Sequence, residues 1–415
     1  MLLVNSTGPA GVSLGMRGLR TMVLLVAGLA AACGSEGSLH ALHQPPGVVR
    51  VTDGRTVSVL DTVARRVVSQ VPGGVAAGDW VFRATSAEAG TSLEAIGADG
   101  QTSWEHQLDQ DLRLRAASAD GSLVALLPAE DAVVDPYHPA GRTQTRVVVA
   151  STTGRADRTY DLKGNFEPEA FTRKGDALFL VEYLPALHPD RYRVRKLDLF
   201  SATVGGVPSI DGHLQDSMRG TARVHAASPD GNRLYTLYTT EGADGPEAFV
   251  HVLDLVEGWA HCVDLPAPLG TAPEDDLAIA VGSGDHGVVV VDPAEGVAVE
   301  IDPSTLHVTR TSHFRPIAEA GPVQAAVGRT GHVYVARGRT VVVLGDDLRP
   351  QSRWTTTSPS IGLVADPDRD RLWQVTDGMV LALDPDDGRR ITSVVLPAVG
   401  PLPADPGSGP IQCAC

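Results

Sequence analysis

Three pairs of ionisable residues stand at matched places along the chain: Arg113 and Arg115, Glu167 and Glu169, Arg223 and His225. Within each pair the residues are two apart, which on an extended strand sends both side chains to one face. Aligned on the turn glycine that follows each pair, Arg115, Glu169 and His225 share one position, with Arg113, Glu167 and Arg223 two residues earlier. At the corresponding places elsewhere the chain carries Leu277 and Ile279, Val323 and Ala325, Ile361 and Leu363, Ile411 and Cys413. Charge replacing apolar residues at a repeated inner position demands an explanation, because an unpaired buried ion costs several kcal/mol. Two chemistries satisfy it. One is a belt of Arg/Glu/Arg-His salt bridges between neighbouring units. The other is the floor of a pocket in which His225, or Glu169 with a raised pKa, takes or gives a proton.

Three long polar segments add a second set of groups. Pro128–Thr145 carries Asp131, Asp135, Tyr137 and His138; Tyr183–Arg191, with the residue after it, carries His188, Asp190 and Tyr192; Thr239–Ala248 carries Glu241 and Asp244. From these, Asp135, Tyr137, His138, His188, Asp190 and Tyr192 make the expected ligand or partner face, on loops held by a rigid scaffold. Other chemistries lack their residues. A hydrolase elbow would need Gly-x-Ser-x-Gly, and the nearest stretch, Gly282-Ser283-Gly284-Asp285-His286-Gly287, reads as a turn. The five tryptophans are scattered and lack the repeats of a quinone-docking protein. No Cys/His set stands at ligand spacing, so no cofactor is expected and a divalent metal enters only under an enzyme reading. The periodic Asp61, Asp198, Asp254, Asp302 and Asp384 fit turn capping better than calcium ligation.

The elements that must position these residues repeat through the chain. Val51-Thr52-Asp53-Gly54-Arg55-Thr56-Val57, Val335-Ala336-Arg337-Gly338-Arg339-Thr340-Val341 and Val375-Thr376-Asp377-Gly378-Met379-Val380 each read as strand, tight glycine turn, strand. A second signature, Ala226-Ala227-Ser228-Pro229-Asp230-Gly231, precedes the hairpin and echoes at Ala116–Gly121 and Val364–Asp368. Units of about 40 residues with four short strands each indicate an all-β chain folded as a single β-propeller. The third strand of the unit recurs at Val57–Asp61, Ser92–Ile96, Arg146–Ser151, Val194–Leu199, Val250–Leu255, Val297–Asp302, Val341–Leu344 and Val380–Asp384. That spacing predicts eight blades by strand count, or seven if the weak second unit is an elaboration. The first unit lacks its innermost strand. The tail Gly409-Pro410-Ile411-Gln412-Cys413-Ala414-Cys415 nearly copies Gly321-Pro322-Val323-Gln324-Ala325-Ala326-Val327, so the C-terminal strand is expected to join the N-terminal blade and close the ring.

Thr56-Val57-Ser58-Val59-Leu60-Asp61-Thr62 followed by Arg66–Gly73, together with Ser228-Pro229-Asp230-Gly231-Asn232-Arg233-Leu234-Tyr235, resembles the YVTN-type propeller repeat of exported bacterial proteins. The match holds at both ends of the chain and loosens in blades 2 to 4. The resemblance implies a WD40-like ring and leaves the reaction open, since that family is defined by fold.

Residues 1–33 read as an export signal: Arg17 and Arg20, the apolar Met22–Leu29, then Ala30-Ala31-Ala32 before Cys33. Met16 makes a better start than Met1. Leu29-Ala30-Ala31-Ala32-Cys33 resembles the lipobox of bacterial prolipoproteins, with its leucine one place too early, so Cys33 is the expected lipidation site and 34–46 a tether to a propeller over 47–415. A plain secretory leader is the alternative. The formal charge of −16, with no basic run after residue 20, excludes nucleic acid. Cys262 is placed on the outer strand of blade 5, and Cys413 and Cys415 on the tail strand, all as small core residues.

These readings converge on an exported, lipid-anchored monomer at the outer face of the cell membrane. Its propeller is expected to bind an extracytoplasmic protein or small ligand on one face as a non-catalytic scaffold or sensor. The alternative is a lactonase- or hydrolase-like propeller working through the central charged site.

Overall fold

β-branched runs punctuated by Asp and Gly leave the chain little choice but short strands and tight turns. The computed structural model describes residues 47–396 except 53–55, 130–139, 211, 213–216, 243–244, 273–275, 283–285 and 367–368. Within them, eight antiparallel sheets succeed one another along the chain, each built from consecutive strands. Seven have four strands, and blade 1 has three: Val48–Thr52, Thr56–Asp61 and Arg66–Pro72. The arrangement is an eight-bladed β-propeller, and the weak second unit proves a full blade, Val75–Ala77, Trp80–Ala87, Gly90–Ile96 and Thr102–Leu108. The expected closing strand at 409–415, the leader with Cys33 and the whole tether, 34–46, lie outside the described residues.

Local chemistry accounts for the turns. In blades 7 and 8 Arg337 pairs with Thr340 and Thr376 with Met379, which leaves two-residue turns carrying Gly338 at φ 57 and Gly378 at φ 74. Those dihedrals favour glycine, as the repeat required. At the turn into the outermost strand, the periodic aspartates cap backbone amides. Asp61 Oδ1 accepts from Val63 and Ala64, Asp198 from Phe200 and Ser201, Asp254 from Val256 and Glu257, and Asp302 from Ser304 and Thr305.

The core lies in the seams between blades. Between blades 6 and 7 the seam holds Val289, Val291, Val333, Val335 and Leu344, and between blades 7 and 8 it holds Tyr334, Val341, Val343, Leu372 and Leu381. Val49, Val51 and Leu60 of blade 1 pack on Trp373, Val375 and Val380 of blade 8, so side-chain packing brings the two ends of the ring together. One expectation is corrected. Thr239–Ala248 is not a long loop, because in blade 5 the second strand runs on to Gly242 and the third begins at Gly245, giving a continuous ladder through Thr239–Ala248 and Thr240–Glu247. The run Tyr238-Thr239-Thr240 has the β preference to extend the hairpin that far.

Candidate functional site

The innermost strands of blades 3, 4 and 5 are Leu112–Ala117, Asn165–Phe171 and Thr221–Ala227. All three are bulged. The register shifts between Leu114 and Ala116, between Pro168 and Ala170, and between Ala222 and Val224, so the extra residues are Arg115, Glu169 and Arg223. The innermost strands of blades 6, 7 and 8 pair without a shift. A bulge interrupts alternation and re-aims a side chain. A spacing of two therefore does not by itself put both members of each pair on one face, as the sequence suggested.

Glu167 is the hub of the charged belt. Arg142 Nη2 donates to Glu167 Oε1 at 2.7 Å, and Arg115 Nε stands 3.6 Å from Glu167 Oε2, with the three side chains only 11–13% exposed. Arg142 also donates to the Phe166 carbonyl oxygen. It sits in the segment before the third strand of blade 3, outside any strand alignment, and only its place in a long polar segment could have signalled it. Arg113 is partly buried on the same inner strand as Arg115. Arg223 turns to its own blade, where Nε donates to Thr239 Oγ1 at 2.5 Å.

The expected belt does not run on through Glu169 and His225. Glu169 Oε1 accepts from Thr236 Oγ1 of blade 5 at 3.5 Å, while its Oε2 is shielded from solvent and accepts no hydrogen bond. Burial pushes its pKa up to about 7, against the small opposing pull of Thr236. His225 is pushed down to about 4 by burial, which keeps it neutral at pH 7.

His225 begins a polar row that crosses the whole of blade 5. It pairs with Thr236, Thr236 with His251 and His251 with Cys262, so the four side chains follow one another from the inner strand to the outer strand on one face. Thr236 reaches Glu169 from that face, which therefore looks toward blade 4. His251 is 1% exposed, and burial, with a smaller effect from His261, pushes its pKa down to about 4. Beside the row lies an aromatic stack. Tyr238 of blade 5 lies between Tyr192 of blade 4, at 4.7 Å and 14°, and Phe249, at 5.3 Å and 7°, with His251 edge-on to it at 6.3 Å. Val181 completes this cluster, and Tyr183, Met218 and Cys262 pack against it. Burial raises the pKa of Tyr183, Tyr192 and Tyr238; for Tyr183 the Glu167 and Glu169 charges add to it.

The loop residues divide. Tyr192 is not on an exposed loop but buried in the third strand of blade 4, Arg191–Asp198, against Tyr238. His188 and Asp190 are exposed on the preceding loop, Asp190 3.6 Å from the Arg191 guanidinium. That loop is tied to blade 3: Asn165 Nδ2 donates to the carbonyls of Ala140 and Ala186, and the Arg142 amide donates to Ala186. Asp135, Tyr137 and His138 lie outside the described residues, as do Asp131, Asp244 and the side chain of Glu241. Among the described residues no three His, Cys, Asp or Glu side chains gather as a metal site.

No protein-family model matches the chain, and no curated protein matches it. Solved structures do. The chain is similar to the dihydro-heme d1 dehydrogenase NirN in complex with DHE, at 12% identity and a TM-score of 0.50, over 86% of this chain and 76% of that one. It is also similar to Kuenenia stuttgartiensis hydrazine synthase (12% identity, TM-score 0.39, 77% and 93% covered) and to apo AztD from Citrobacter koseri (10%, 0.36, 75% and 95%). Likeness at this level of identity speaks to the fold alone.

Proposed function

We propose that this propeller is a binding protein, a scaffold or sensor that receives a small ligand or an extracytoplasmic partner over blades 3 to 5, with the joint between blades 4 and 5 as the floor of the site. One observation carries the reading. Glu169, shielded and lacking any cation partner among the described residues, faces Thr236, which pairs on the ladder with a neutral His225, whereas the cores of the seams between blades 6, 7 and 8 are aliphatic and aromatic. A fold gains nothing from leaving a carboxyl oxygen shielded and unsatisfied, because the missing hydrogen bond costs about 1–3 kcal/mol. A ligand that donates to it recovers that energy.

The double substitution Glu169→Ala with His225→Ala tests this. The variant is expected to melt as a cooperative fold close to the parent, while losing the ligand-induced thermal shifts that a small-molecule panel gives with the parent. Loss of the fold would mean that the groups hold the blades together and nothing else.

A carboxyl that titrates near neutrality also suits a general acid or base, which favours an enzyme as the second reading. That reading gains if purified mature protein carries stoichiometric calcium or zinc. For placement, we propose export and lipid attachment through Cys33, on the small-residue run that ends at it. Palmitate is expected to label the parent and not Cys33→Ser, and membrane retention of that variant would remove the anchor.

A further inference from the structure

At the rim of the same joint, away from the charged belt, two sulfurs meet. Cys262 lies in the outermost strand of blade 5, Ala260–Leu265, and its Sγ is 3.4 Å from Sδ of Met218. Met218 belongs to the connection between blades 4 and 5, which two hydrogen bonds fasten to blade 4: the Tyr192 amide to the Met218 carbonyl at 2.9 Å, and the Met218 amide to the Tyr192 carbonyl at 2.7 Å. The thioether is thus held against the thiol by backbone of the neighbouring blade. Across the ladder Cys262 pairs with His251, whose buried ring stands on the same face. A thiol, a thioether and an imidazole come from three separated stretches of chain and converge on one joint. Cys262 and Met218 are each partly exposed, which leaves a route in.

We infer that Met218, Cys262 and His251 form a site for a single soft monovalent metal ion, Cu(I). Thiolate and thioether donors select Cu(I) over harder ions, and imidazole joins them readily. Zinc and calcium are disfavoured because, among the described residues, no three His, Cys, Asp or Glu side chains gather there. Binding exchanges one proton for one ion: the Cys262 S–H bond breaks, the Cu–S bond forms, and the proton leaves to solvent with no change of oxidation state. Burial pushes the thiol up to about 12, so the ion must displace that proton, and uptake should weaken as pH falls. His251 is neutral and needs no deprotonation. The tyrosine stack on the inner side of the site closes it toward the axis.

The test uses full-length protein in which Cys33, Cys413 and Cys415 are serine, so that Cys262 is the remaining thiol. Anaerobic titration with Cu(I) against a chromophoric Cu(I) chelator is expected to show one ion bound per chain. Cys262→Ser should abolish binding, and Met218→Leu, which conserves volume, should weaken it at least about tenfold. X-ray absorption of the loaded protein, which needs no substitution at the site itself, is expected to count two sulfur neighbours and one nitrogen. No binding, binding that survives Cys262→Ser, a Met218→Leu protein that binds as tightly as the parent, or a single sulfur neighbour would each overturn the site.

Discussion

The seam between blades 6 and 7 and the joint between blades 4 and 5 occupy equivalent places in one repeat and are built from opposite materials. In the first, valines and leucines interdigitate with Ile317 and Phe314, and the ion pair between the blades is matched, Arg337 to Asp276 at 2.6 Å. In the second, a carboxyl, two imidazoles, a threonine, three tyrosines and a thiol share the space. The backbone differs too. The inner strand of blade 6 packs closely on that of blade 7, whereas those of blades 4 and 5 approach each other less and carry bulges. Aliphatic seams supply the stability of the ring, and that surplus lets one joint be chemically expensive. Stability and recognition are thereby assigned to different sectors of one circle.

The largest expected effect comes from breaking the ordinary side of this comparison. Leu344, fully buried between blades 6 and 7, should cost about 3 kcal/mol when changed to alanine, through lost burial and the cavity left behind. Urea unfolding followed by tryptophan fluorescence measures it. A cost near zero would mean that the seam has no stabilising role to contrast with the joint.

A smaller effect, in pH dependence, sharpens the other side. Glu169 has a folded pKa near 7, above its unfolded value, so the stability it contributes is complete in acid and is lost as pH rises through 7. His225 and His251 have folded pKa values near 4, below their unfolded value, so their contribution is present above about pH 6.5 and is lost as pH falls toward 4. Stability should peak between about pH 6.5 and 7, and Glu169→Gln should remove the decline above the peak and steepen the rise below it. Melting temperatures taken across pH 4 to 8 decide the matter, and an unchanged alkaline limb in Glu169→Gln would place the ionisation elsewhere.

Much of the architecture was legible because the repeat writes it in turn residues. Asp-Gly and Arg-Gly pairs, β-branched runs and a third strand that recurs eight times leave few other folds, and even the capping role of Asp198 and Asp254 followed from periodicity. The joint was legible only in part. Glu167, Glu169 and His225 stood out because their equivalents are apolar, yet their partners could not be read, since Thr236 reaches Glu169 across blades and Arg142 reaches Glu167 from the segment before a strand. The bulges erased the simple rule that residues two apart share a face. Tyr192 looked like the end of a loop and lies in a buried stack, because a strand boundary is fixed by ladder pairing with the next blade element and not by local composition.

The contact that joins the last blade to the first bears on the order in which the ring forms. Where blade 8 meets blade 1, Arg369 Nη1 also donates to Thr62 Oγ1, joining residues 307 positions apart. Closing so long a span costs little more entropy than closing half of it, because the penalty grows with the logarithm of length. It does, however, put the longest wait in the molecule at its last step. Until blade 8 has formed, blade 1 presents Val49, Val51 and Leu60 to whatever is near. The ring is therefore most vulnerable to wrong partners at the moment it is most nearly finished.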